Sequence, residues 1–136
     1  MLFRSVRATY FLVAAIAPRM VERGAGSIIN LGSMAGQIGL AGGAAYGATK
    51  AAQAAMARAW AAEFSPSGVR VNTVAPGPVF TDGAAPDRTE RLGSTTLMNR
   101  AAHAEEIAEV ISFLASARAG YITGATIAVD GGRTAA

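Results

Sequence analysis

"SIINLGS", residues 27–33, decides the fold. Ile28 and Ile29 stand side by side in an uncharged run, with no alternation between a wet and a dry face. That pattern predicts a strand buried on both faces, as in a parallel sheet covered by helices. Upstream, Tyr10, Phe11, Val13, Ala14, Ile16, Ala17 and Met20 recur at helical spacing between Val6 and Arg23, and Gly24 and Gly26 close that helix. Pro18 inside it removes a backbone donor and should bend the last turn. Downstream, "MAGQIGLAGG" reads as a glycine-rich loop, and Ala45–Phe64 is dense in strong helix formers. "VRVNTVAP" is a second β-branched strand, stopped by Pro76. "GPVFTDGAAPDRTERLGSTT", residues 77–96, has no clear period and reads as a long mobile loop that could hold a helical turn. "HAEEIAEVISFLAS" puts Ile107, Val110, Ile111 and Leu114 on one helix face, with Glu105 and Glu106 at the end where the dipole favours anions. "ATIAVDGG" is a third strand. The order helix, strand, helix, strand, loop, helix, strand implies right-handed crossovers and a parallel α/β sheet.

Composition narrows the classes. The 136 residues suffice for one domain, and half of them are apolar, alanine alone supplying 32. No apolar run approaches the roughly 18 residues of a membrane span, and the first residues lack the order of a secretory signal. The absence of cysteine excludes disulfides and thiolate metal sites and fits a cytoplasmic protein. The net charge of +3 comes from scattered arginines, without the basic stripe or aromatic platform of a nucleic-acid binder. No metal-ligand cluster stands out.

Ligands on such sheets bind at the carboxyl ends of the strands, and Ser33 and "PGPVFT" follow strands directly. "AAYGATKAAQ", residues 44–53, holds the only lysine beside eleven arginines. Tyr46 and Lys50 are four apart and share one helix face. A phenol has an ordinary pKa of about 10; an ammonium one turn away favours the phenolate, as acid–base work near neutrality requires. Arginine is a poorer substitute, because its planar fork differs from a compact ammonium on a flexible stem. Ser33 supplies a hydroxyl for a substrate oxygen, although alone it could simply cap a turn. His103 reads as a surface residue before a helix, Asp130 as a turn residue, and Tyr10 and Tyr121 have no lysine four residues on.

In combination these residues are specific. "GSIINLGSMAG", "AYGATKAA", "GVRVNTVAPGPVFT", "RAAHAEEIAEVISFLAS" and "YITGATIAVDGG" resemble, in order and spacing, the carboxyl-terminal half of a short-chain dehydrogenase/reductase. The likeness covers nearly everything after Ser5 and is greatest to the branch containing 3-oxoacyl-carrier-protein reductase. It implies the carboxyl-terminal half of a Rossmann-type doubly wound sheet, with about three strands and flanking helices. Tyr46 would be the catalytic acid/base and would also touch the cofactor. Lys50 would assist it and hold the nicotinamide ribose hydroxyls, while Ser33 would orient the substrate carbonyl or alcohol. Pro76, Gly77, Val79 and Thr81 match the segment that packs on the nicotinamide, and the Asp82–Asn99 loop matches the variable substrate lid. The implied cofactor is NAD or NADP, the substrate a small carbonyl/alcohol pair. The implied assembly is a homodimer or homotetramer through the helices matching Val6–Arg23 and Ala45–Phe64.

The family pattern is incomplete. Its T-G-x-x-x-G-x-G turn, which receives the pyrophosphate at a helix amino terminus, does not occur in the sequence, nor does G-x-G-x-x-G spacing. We therefore expect residues 1–136 to form a partial NAD(P)-binding domain lacking its first strands, and the chain alone not to turn over. Ser5 stands where the family carries an asparagine that holds a relay water, and Met1–Ser5 reads as foreign to the native gene. The alternative is a catalytically inactive module for helix pairing or oligomerisation.

Overall fold

The computed structural model describes residues 2–135; Met1 and Ala136 of the expected domain lie outside the described residues. Chain order is α1 (Leu2–Arg23), β1 (Gly26–Leu31), α2 (Ala44–Phe64), β2 (Val69–Pro76), α3 (Pro86–Gly93), α4 (Ala104–Ala115) and β3 (Thr126–Val129). The strands form one parallel sheet in the order β1-β2-β3. Register runs from Gly26 opposite Val69 to Leu31 opposite Val74, then from Thr73 opposite Thr126 to Pro76 opposite Val129. All three strands thus end at one edge.

Side-chain alternation divides the core between the two sheet faces. On one side Ile28, Val69 and Val71 pack with Val13 and Ala17 of α1 and with Ala57, Trp60 and Ala61 of α2. On the other, Ile29, Val74, Ile127 and Val129 pack with Ile107, Val110, Ile111 and Leu114 of α4. Leu114 is wholly buried, a burial that contributes roughly 1.5–3 kcal/mol. The parallel sheet covered on both faces is the architecture expected from the sequence.

Three expectations need correction. Helix α1 begins at Leu2 rather than Val6 and runs through Pro18; Pro18 and Ala14 are both exposed, so water can satisfy the carbonyl that loses its donor. Strand β1 is not buried along its whole length, because Leu31 at its end is 53% exposed. No strand pairs with the outer edge of β1 among the described residues. The Asp82–Asn99 loop contains a true helix, α3, started by Pro86 at a position that needs no amide donor.

That loop is pinned at its base. Phe80 N–H donates to the Ala102 carbonyl at 3.0 Å, and Ala102 N–H to the Pro78 carbonyl at 2.9 Å. Beyond it, the Arg100 guanidinium grips both Glu106 oxygens at 2.8 and 2.7 Å, and His103 N–H donates to Glu106 at 2.9 Å. The Arg100 hydrogen bonds, followed by the His103 amide, pull the Glu106 carboxyl from 4.5 down to about 2. A carboxyl held lower in the folded chain stabilises it above the unfolded value near 4.5 and loses that contribution as pH falls through about 2. Glu106→Gln should therefore flatten the fall in denaturation midpoint between those pH values; an unchanged pH slope in the variant would show that this ion pair is not coupled to folding.

Candidate active site

The site begins where β1 ends. Gly32 N–H extends the ladder by donating to the Val74 carbonyl at 2.7 Å, and the chain then turns through a 3₁₀ segment, Met34–Gly36. Ser33 caps that turn: its Oγ accepts from Ala35 N–H at 3.2 Å. Capping uses the oxygen as acceptor, so the hydroxyl can still donate to a ligand. The turn and site readings of Ser33 are compatible.

Helix α2 brings Tyr46 and Lys50 to the same place. Tyr46 is 43% exposed, and Lys50 Nζ lies 5.8 Å from the centre of its ring. That ammonium donates to the Leu31 carbonyl at 2.8 Å and to Gln53 Oε1 at 3.3 Å. The lysine thus ties its helix to the exposed end of β1. After β2, Gly77 N–H continues the ladder onto the Val129 carbonyl at 3.0 Å. A side chain at Gly77 would put its Cβ 2.7 Å from Asp130 Cα, so the two chains emerging from β2 and β3 can pass this closely only with glycine here.

One cleft of about 390 Å³ gathers Ser33, Tyr46, Lys50, Pro76, Gly77, Val79 and Thr81. The seven residues expected to touch substrate or cofactor all line it, whereas Ser5 and the Asp82–Asn99 loop do not. Ile107, Ala108 and Ile111 of α4 add an apolar wall. Hydroxyls and one ammonium thus face aliphatic side chains, the usual make-up of a small-molecule site. Gln53, bonded to Lys50 from below, was missed; its signal was an amide one turn past the lysine in an alanine-rich helix. Asp130 stays outside the cleft. It accepts from Gly132 N–H and from both the amide and hydroxyl of Thr134. Burial opposes its charge, but these Thr134, Gly132 and Arg133 contacts outweigh burial and hold the carboxyl below its ordinary value. His103 is exposed and lies against Phe80, 5.6 Å between ring centres.

The family profile described as enoyl-(acyl carrier protein) reductase matches residues 2–134. A protein described as a candidate β-ketoacyl-ACP reductase superposes with a TM-score of 0.88 at 48% identity, over 97% of this chain and 56% of its own. The chain belongs to the short-chain dehydrogenase/reductase family. Among other members, the inactive 2-(S)-hydroxypropyl-CoM dehydrogenase 2 of Xanthobacter autotrophicus is 39% identical, over 96% of this chain and 61% of its own. ElxO, solved with NADP bound, superposes with a TM-score of 0.87 at 29% identity, over 94% of this chain and 54% of its own. The chain spans about half the length of the curated relatives it matches, 46% of one and 61% of another. No helix among the described residues is long and apolar enough to cross a membrane. Among those residues no group of three His, Cys, Asp or Glu could hold a metal ion.

Proposed function

We propose that this chain carries the catalytic half of an oxidoreductase that interconverts a small carbonyl compound and its alcohol. What supports the reading is the convergence of Ser33, Tyr46 and Lys50 on one cleft with Pro76–Thr81. Similarity alone does not choose, since a 39% identical member is an inactive dehydrogenase. In this reading Tyr46 gives its hydroxyl proton to the substrate oxygen on reduction and takes it back on oxidation. Ser33 donates a hydrogen bond to that oxygen and fixes its position. The Lys50 ammonium stabilises the phenolate left behind.

The residues present fit the nicotinamide end of NAD or NADP. Gly77 permits the tight passage beside Asp130. Lys50 offers an ammonium donor to ribose hydroxyls, Thr81 a hydroxyl to the carboxamide, and Pro76 and Val79 an apolar surface to the ring. The bound cofactor would supply or accept the hydride. ElxO with its NADP favours a nicotinamide cofactor, and the choice between the two forms rests on residues that would hold the adenosine ribose. We place the site in a partial Rossmann-type domain of a cytoplasmic protein and assign substrate selection to the Asp82–Asn99 loop. The assembly is a homodimer or homotetramer through α1 and α2; Tyr10, Phe11 and Leu12 of α1 are 53%, 59% and 61% exposed, which favours a further helix against them.

The test is cofactor titration of the full-length protein and its Lys50→Arg variant, with turnover of simple ketones and aldehydes. Lys50→Arg should weaken NAD(P)H binding roughly tenfold, because charge survives but donor geometry does not. Parent-like affinity and turnover would remove Lys50 from the site.

A further inference from the structure

We propose that Gln53 is a positioning residue for Lys50, holding the ammonium at the cleft by sharing it with the Leu31 carbonyl. The inference rests on the reading of Lys50 as the cation of the site. Gln53 is only 7% exposed and lies one turn beyond Lys50 on α2. Its Nε2 donates to the Ser5 carbonyl at 3.3 Å and to Thr9 Oγ1 at 3.2 Å, both on α1. Its backbone carbonyl accepts from Asn30 Nδ2 on β1 at 3.4 Å.

These partners fix which way the amide faces. A carbonyl only accepts and an ammonium only donates. Turning the amide over would set its oxygen against the Ser5 carbonyl and its NH₂ against Lys50 Nζ, two repulsions at once. Oε1 must therefore face Lys50, at 3.3 Å. With the Leu31 carbonyl at 2.8 Å, two of the three ammonium donors are committed. The third remains for a ligand in the cleft that Lys50 lines. Lysine is a flexible stem that loses much rotamer freedom when ordered, and two acceptors on separate elements supply that order. An apolar side chain would fill the same buried position without the cost of desolvating an amide. The amide is explained by what it holds.

Gln53→Met keeps length and volume and loses both hydrogen-bonding ends. Gln53→Glu keeps an acceptor toward Lys50, now charged, and gives up only the donation to Ser5 and Thr9 on α1. In the full-length protein, the rate of Lys50 acylation by an amine-reactive ester can be read by mass spectrometry on peptide 24–58, released at arginines. Gln53→Met should be acylated roughly tenfold faster than the parent, the effect of losing one charge-assisted hydrogen bond. Gln53→Glu should react no faster than the parent. Parent-like acylation in a folded Gln53→Met protein, or acceleration in both variants, would overturn the proposal. If Gln53→Met does not fold, Gln53→Glu decides by itself: a rate at or below the parent supports the proposal and acceleration refutes it. Acylation needs neither cofactor nor turnover. A protein with the expected labelling pattern and no hydride transfer would therefore keep Gln53 in this role and refute the oxidoreductase reading instead.

Discussion

Tyr46→Phe should cut turnover by about 10²- to 10⁴-fold, the usual contribution of a positioned general acid or base, and leave the folded state almost unchanged. The asymmetry follows from what the hydroxyl does. Tyr46 is 43% exposed, and its local fold contact is made by the main chain, whose carbonyl accepts from Thr49 Oγ1 at 2.7 Å. Phenylalanine keeps that carbonyl and the ring beside Lys50 Nζ. Cofactor binding should persist within a few-fold, since the ammonium and the segment after β2 are untouched. The measurements are NAD(P)H oxidation under saturating substrate, cofactor titration and a thermal melt, made on the full-length protein. Turnover near the parent's would take Tyr46 out of the chemistry. A collapse in melting temperature would assign the residue to structure instead.

Most of the frame was legible because local signals agreed. Val69–Pro76 is observed as a strand over the span read from its β-branched pattern, with its last residue a proline that has no N–H to donate. The meeting of Ser33, Tyr46 and Lys50 at one cleft was legible because a carboxyl-edge rule and a four-residue helical spacing both act locally. What the sequence hid depends on distant partners. Gln53 looks like an ordinary polar residue on a helix until α1 and β1 pack beside it. Helix α3 hides in a stretch of glycine, proline and charge; its fit becomes visible only where Gly93 packs on the Ala101 backbone. The exposed end of β1 was missed for the opposite reason. A buried-strand pattern describes Ile28 and Ile29 and says nothing of Leu31, which lies over the open cleft.

Gly36→Ala should disable the site as effectively as most changes to its chemistry, although Gly36 touches no ligand in the reading above. An added Cβ would stand 2.8 Å from Ala51 N and 2.9 Å from Lys50 C, both backbone atoms of α2. A flexible side chain could swing aside; a helix backbone cannot, so the 3₁₀ turn that Ser33 caps must lift away. The contact is reciprocal, because a Cβ on Gly47 of α2 would stand 2.6 Å from the Ala35 carbonyl oxygen. Helix propensity favours Gly47→Ala by about 1 kcal/mol, whereas overpacking typically costs about 1–3 kcal/mol. The clash should win, and both substitutions should destabilise. For function, displacing Ser33 by about 1 Å relative to Tyr46 and Lys50 is enough to cost roughly 10²-fold in rate. Gly39→Ala is the control: it lies in the same loop, a Cβ there meets nothing within 4 Å, and its rate and melt should match the parent. Parent-like turnover and melting in Gly36→Ala would show that the turn can shift without disturbing Ser33, and that close packing against α2 does not set the geometry of the site.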